Sequence, residues 1–255
     1  MTGPSLPSEH LPPRTIRIEI GVVLAVTFGL SAYIASLRLI EAALLGLSGQ
    51  TVTLNERRSP FDLIDLGLNI ASLTQLMAWG ALALYLLWRS GSGPASIGLG
   101  KFRIRPDLTR GLGLAALIGL PGLALYIGAR LLSLSAAVEP AEINDTWWRI
   151  PLLLAIAFAN GWAEEIVVVA FLITRLRQLR ITPAVALVIS ALLRGTYHLY
   201  QGYSAGLGNI VMGLVFGYVW LRTGRLWPLI VAHGLIDAVA FVGYSLAADE
   251  LDWLG

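Results

Sequence analysis

Of the chain's 255 residues, 56% are hydrophobic and 13% charged, against about 45–50% and about 25% in ordinary soluble domains, which excludes a water-soluble globule and points to a membrane protein. The absence of cysteine removes disulfide scaffolds, thiol nucleophiles and cysteine-ligated zinc or iron–sulfur centres. A net charge of +2, with basic residues scattered between apolar blocks, excludes nucleic acid as a partner.

Residues 1–17 read as a disordered cytoplasmic tail, broken by Pro4, Pro7, Pro12 and Pro13, with no short apolar core leading to a cleavage site. Crossing about 30 Å of hydrocarbon takes about 17–25 apolar residues. Uncharged runs of that kind occur at Ile20 to Leu37, Leu66 to Trp88 and Gly111 to Ala129, predicting three plain membrane helices within 18–148. A second block, 149–248, carries four more spans. Ile150 to Thr174 is interrupted by Glu164 and Glu165, and Ile181 to Leu199 by Arg194 and His198. After a turn-like stretch, Tyr200 to Gly206, come the clean run Leu207 to Leu221 and the run Leu226 to Ala248, which holds His233 and Asp237. Residues 249–255 form an acidic tail. The expected fold is therefore all-α, a polytopic membrane helix bundle of about seven transmembrane helices.

Placing the N-terminus inside puts twelve of the eighteen basic residues in the cytoplasm, from Arg14 and Arg17 to Arg222 and Arg225, and only Arg57 and Arg58 in outer loops. Glu139, Glu142, Asp145 and the acidic tail fall outside. All basic residues but Lys101 are arginine, a usage read as that of a GC-rich bacterial genome. The expected location is the bacterial cytoplasmic membrane, with the lipid bilayer as a partner.

The first three runs hold no ionisable group, whereas the later spans hold Glu164, Glu165, Arg194, His198, His233 and Asp237. A charge near the bilayer centre costs at least about 2.5–3.5 kcal/mol, so these groups should share one interior cavity. Arg194 and His198 are four residues apart, as are His233 and Asp237, and Asn160 stands likewise to Glu164, so each pair shares a helix face. Adjacent Glu164 and Glu165 project about 100° apart and are not expected to face one point. Taken alone, His233 with Asp237 reads as an interhelical hydrogen bond; the paired glutamates, costly to bury, point to a task. Gly213 and Gly217 read as close helix packing. Trp147, Trp148, Trp227 and Tyr200 read as interfacial anchors, and Asn144-Asp145-Thr146 as a chance sequon.

Three segments carry a known order of motifs: Ala163-Glu164-Glu165-Ile166-Val167-Val168-Val169, then Leu193-Arg194-Gly195-Thr196-Tyr197-His198, then His233-Gly234-Leu235-Ile236-Asp237. Together, over about Ile150 to Tyr244, they resemble the CPBP family, the CAAX-prenyl-protease and bacteriocin-processing-like intramembrane endopeptidases. That family's pattern is EExxxR, FxxxH and HxxxN or HxxxD. The resemblance implies hydrolysis of a peptide bond in or near the membrane, with a glutamate base at Glu164, its neighbour Glu165, and His198, His233 and Asp237. Val169 stands where the family has Arg, and Arg194 where it has Phe. The spans holding them are antiparallel and joined near Gln178, so residues with similar number sums lie at similar depth. Positions 169 and 194 sum to 363 and Glu164 with His198 to 362, so Arg194 is expected to supply the missing cation to Glu165.

With cysteine absent and no Ser–Lys or Ser–His spacing in evidence, the expected nucleophile is water activated by a carboxylate, with Glu164 the candidate base. His198 and His233 are expected to stabilise the oxyanion, and Asp237 to orient His233. Ionised Glu164, Glu165 and Asp237 with Arg194 sum to −3 + 1 = −2, which requires a bound proton, a protonated histidine or a divalent metal. No cofactor is expected; if a metal is present, zinc on His198, His233 and Glu164 is the expected set, although the HExxH motif is missing. The partner is a peptide or protein substrate, with prenylated and membrane-anchored peptides both open. Two rival readings stand beside the peptidase: a non-catalytic CPBP-like scaffold or immunity protein, and a proton-coupled transporter. The transporter is disfavoured by the lack of inverted repeats.

Overall fold

The computed structural model describes residues 11–139, 141 and 146–246. His10, Glu142, Asn144, Asp145 and the acidic tail 249–255 lie outside the described residues.

Pro13 sits at the start of the first helix, where its missing N–H is no loss, and α1 runs Pro13–Val26. Residues 13–17, expected as disordered tail, are therefore helical. The span expected over Ile20 to Leu37 is in fact two helices, because Thr27 leaves helical geometry at φ −130°, ψ −129°. Its hydroxyl donates to the Val23 carbonyl at 2.6 Å, a side chain competing with the backbone ladder, and the chain resumes as α2, Phe28–Leu45. Helices α3 (Asp62–Arg89) and α4 (Ile104–Leu131) are 28 residues each. The fourth span is a continuous rod, Arg149–Gln178, made of α5 (Arg149–Glu164), a π-helical segment Glu165–Phe171 and α6 (Leu172–Gln178).

Thr182 caps α7 (Pro183–Tyr197), its hydroxyl accepting from the Val185 N–H, with Pro183 at the first position. A short turn, Leu199–Gln201, leads into α8 (Tyr203–Thr223), which ends at Gly224 in the left-handed conformation, φ +61°. The last apolar rod comprises α9 (Trp227–Ala238), a second π segment Val239–Gly243 and α10 (Tyr244–Leu246). The molecule is thus an all-α membrane helix bundle. Among the described residues six helices are long and apolar enough to cross a bilayer, and α7 is shorter at 15 residues, about 22 Å by its rise.

The Arg149–Gln178 rod is the centre of the bundle: 72% of its apolar window is buried, against 17% for α3 and 11% for α4. It packs on α3 and α9; α4 lies along α9, α8 along α7, and α2 along the outer side of α7. Exposed leucines and isoleucines of α2, α3 and α4 form the lipid-facing surface. In the loops after α2 and α4, β1 (Thr51–Thr53) pairs in parallel with β2 (Ala137–Glu139), a contact absent from the sequence expectation. Three further ion pairs tie helix ends together: Arg149 with Asp65 at 3.6 Å, Arg175 with Glu19 at 2.6 Å, and Arg225 with Asp107. Arg175, expected in a solvated cytoplasmic segment, is fully buried.

Candidate active site

The six ionisable residues of the later spans converge in one place, at the point where α5 passes into its π segment and meets α9 and the end of α7. In the π segment the backbone bonds shift from i→i+4 to i→i+5, and the Val168 carbonyl accepts a hydrogen bond from the Ser190 hydroxyl of α7 at 2.7 Å. The close approach of α5 to α9 depends on Gly161. A Cβ there would lie 2.9 Å from the Ile230 carbonyl oxygen and 3.3 Å from the His233 Cβ. Gly213 serves α8 in the same way, since a Cβ would stand 2.9 Å from the Ala191 Cα, in keeping with a packing role.

Glu165 is fully buried, and its Oε1 accepts from Arg194 at 2.6 Å while lying 2.7 Å from His233 Nδ1. Arg194 is also fully buried and lies 5.8 Å from the Phe216 ring. The opposite ring nitrogen, His233 Nε2, stands 3.8 Å from Glu164 Oε2 and 3.7 Å from Asp237 Oδ2. Adjacent Glu164 and Glu165 therefore do meet one residue, each at its own edge of the His233 imidazole. His233 takes its orientation from Glu165, the hydrogen-bonded partner, rather than from Asp237. Asp237 instead accepts from Asn160 Nδ2 at 3.1 Å, so Asn160 serves Asp237 and not the glutamate that shares its face.

Glu164 Oε2 is where the remaining groups point. The Tyr197 hydroxyl donates to it at 2.5 Å, and His198 Nε2 stands 3.9 Å away. Neither ring nitrogen of His198 has a hydrogen-bond partner among the described residues. Tyr197 is the functional neighbour that the sequence reasoning missed. The depth sum of 361 with Glu164 would have placed it beside the glutamate as readily as it placed His198. Its ring is held against Phe28, centroids 4.9 Å apart, so the residue that opens α2 after the Thr27 break also buttresses the site. Among the described residues no three His, Asp or Glu side chains form a group fit to hold a metal ion.

Residues 146–239 match the family described as Rce1-like, type II CAAX prenyl endopeptidase Rce1-like. No curated protein and no solved structure gives a significant match to the chain. The matched segment begins just before α5, ends just after α9 and contains every residue of the buried cluster. Through these helices, which make up less than half of its length, this integral membrane protein is similar to the CAAX-protease-like membrane endopeptidases.

Proposed function

We propose that the chain is an intramembrane endopeptidase in which Glu164 activates water. The observation that carries this reading is the convergence on Glu164 Oε2 of the Tyr197 hydroxyl at 2.5 Å and the rings of His198 and His233 at 3.9 and 3.8 Å. The His198 gap is too long for a hydrogen bond and is lined by polar atoms on both sides. A water held there lies against a general base and beside a ring N–H. Glu164 removes a proton from the water, the resulting hydroxide adds to the scissile carbonyl carbon, and His198 donates to the oxyanion. As the carbon–nitrogen bond breaks, the proton on Glu164 passes to the departing amine, giving a carboxylic acid and an amine. Tyr197 fixes the base, and Glu165, neutralised by Arg194, holds His233 against the opposite side of Glu164. No step runs through a metal.

Purified protein in lipid, given a library of membrane-associated peptides, is expected to cleave a subset. Glu164→Gln and His198→Ala are each expected to slow cleavage by at least about 100-fold while the helical spectrum and yield stay unchanged, the scale typical of losing an acid–base group or an oxyanion donor. Full cleavage by Glu164→Gln would remove the base from Glu164. Loss of activity on chelation with recovery on adding zinc would replace the carboxylate mechanism by a metal-assisted one.

A further inference from the structure

We infer that the site is reached from the extracytoplasmic side of the membrane, and that its substrate is an extended peptide segment lying just outside the outer leaflet. This rests on the endopeptidase reading for the nature of the ligand, but its route of entry stands on independent observations.

Accessibility falls steadily along one direction through the cluster. The side chains of His198 and Asp237 are each 18% exposed, Glu164 is 8%, His233 4%, and Glu165 and Arg194 are 0%. Asp237 lies one turn beyond His233 along α9, Asn160 one turn before Glu164 along α5, and His198 immediately follows α7. All three positions lie toward the same end of the bundle. On the other side of Glu165 the path is filled: every residue from Ile166 to Phe171 is 0% exposed, as are Phe216 and Leu229. Beyond that core the loop between α3 and α4 is sewn to the bundle, with Trp220 and Trp227 donating to the carbonyls of Ile97 and Gly100 at 2.9 and 2.7 Å. Polar groups are costly to leave facing lipid, so the open end is a route for water and peptide.

The arginines say which end this is. The plugged end carries Arg14, Arg17, Lys101, Arg103, Arg177 and Arg222 among its basic residues, whereas the open end has Arg57, Arg58, Arg130 and Arg149. The richer end faces the cytoplasm, which turns the open end outward. Helix α7, about 22 Å long, is about 8 Å shorter than a hydrocarbon layer about 30 Å thick, and we place this shortfall at the outer end, as a recess above His198. Its rim is the segment Ser135–Ala137, buried to 8% or less. Ser204 Oγ donates to Ser135 Oγ at 2.9 Å, and Arg130 donates to the Ser135 carbonyl at 3.1 Å. A depth of about 8 Å takes two or three extended residues at about 3.3–3.6 Å each. The substrate therefore needs an unfolded stretch adjoining the membrane on the outer side, not a chain end presented from the cytoplasm.

The native chain has no cysteine, so single cysteines report accessibility without background. Gln201→Cys at the recess, His198→Cys at its floor and Ser96→Cys in the α3–α4 loop are made in the full-length protein. Each is treated in intact cells, and again after permeabilisation, with a membrane-impermeant maleimide. Gln201→Cys and His198→Cys are expected to label fully in intact cells, and Ser96→Cys only after permeabilisation. The reverse pattern, labelling of Gln201→Cys only from the cytoplasmic side, overturns the inference. So does a His198→Cys that resists the reagent in both settings while Gln201→Cys labels from outside, since the floor would then be sealed. None of these readings requires proteolysis. A Gln201→Cys protein, with the residues around Glu164 intact, that labels as expected but cleaves nothing would sink the endopeptidase reading and leave the route intact.

Discussion

At Glu165 two cationic or polar partners share a single oxygen, and the guanidinium of Arg194 is the one that carries a permanent charge. Removing one member of a buried ion pair strands the other and costs about 3–5 kcal/mol, so Arg194→Phe is expected to lower thermal stability sharply and to abolish cleavage by releasing His233 from its place. Position 169 lies on the same rod four residues after Glu165, in the fully buried π segment, and the family's pattern carries its arginine there. Adding Val169→Arg to Arg194→Phe should therefore bring a cation back to Glu165 and recover both stability and activity, with Val169→Arg alone harmful through overcrowding. A double-mutant cycle read by thermal unfolding measures this. A silent Arg194→Phe, or single effects that simply add, would show that the two positions act separately.

The π segment is the element on which the site turns, since it begins at Glu165 and its Val168 carbonyl is tied to α7 by the Ser190 hydroxyl. Ser190→Ala removes that hydrogen bond in a dry interior, an expected loss of about 0.5–1.5 kcal/mol, and lets the register of the segment shift. Cleavage should fall with it, while Ser190→Thr, which keeps the hydroxyl, should retain most of both; equal losses in the two variants would mean that packing, not the hydrogen bond, matters. Such a segment is invisible in the sequence: Ile166, Val167, Val168 and Val169 read the same whether a helix has 3.6 residues per turn or more. The membrane spans were legible because composition alone determines them, and the convergence of Glu164, His198 and His233 because intramembrane charge is too costly to scatter. What could not be read was which oxygen meets which nitrogen. That depends on a one-residue helix widening, on Gly161 letting α9 approach, and on a tyrosine whose ring looks like any other interfacial aromatic until Phe28 packs against it.

Across the whole molecule, charges at the ends of spans proved as structural as those in the middle, and the pair Arg175–Glu19 shows why they escape a reading by span. Each lies within a turn or two of a helix end, where solvation is the default expectation, yet Arg175 is fully buried and Glu19 is 8% exposed. Arg175 donates to Ser90 Oγ and Gln178 Oε1 at 2.9 and 2.8 Å, and to the Leu86 carbonyl at 2.9 Å, besides meeting Glu19 at 2.6 Å. One guanidinium thus joins α1, the end of α3 and α6, and α1 leads directly through the Thr27 break to Phe28 behind Tyr197. Glu19→Ala should leave Arg175 uncompensated, destabilise the bundle by about 3–5 kcal/mol and loosen α1, seen as faster proteolytic removal of the N-terminal helix in detergent. Replacing the pair together, Glu19→Leu with Arg175→Met, substitutes apolar contacts for a buried ion pair and should restore most of the thermal stability. The restored variant is the informative one for function. If α1 only holds the fold, its cleavage rate returns to that of the parent. A rate that stays low in a fully stable protein would mean that Arg175 also fixes the pitch of the rod beneath Glu164.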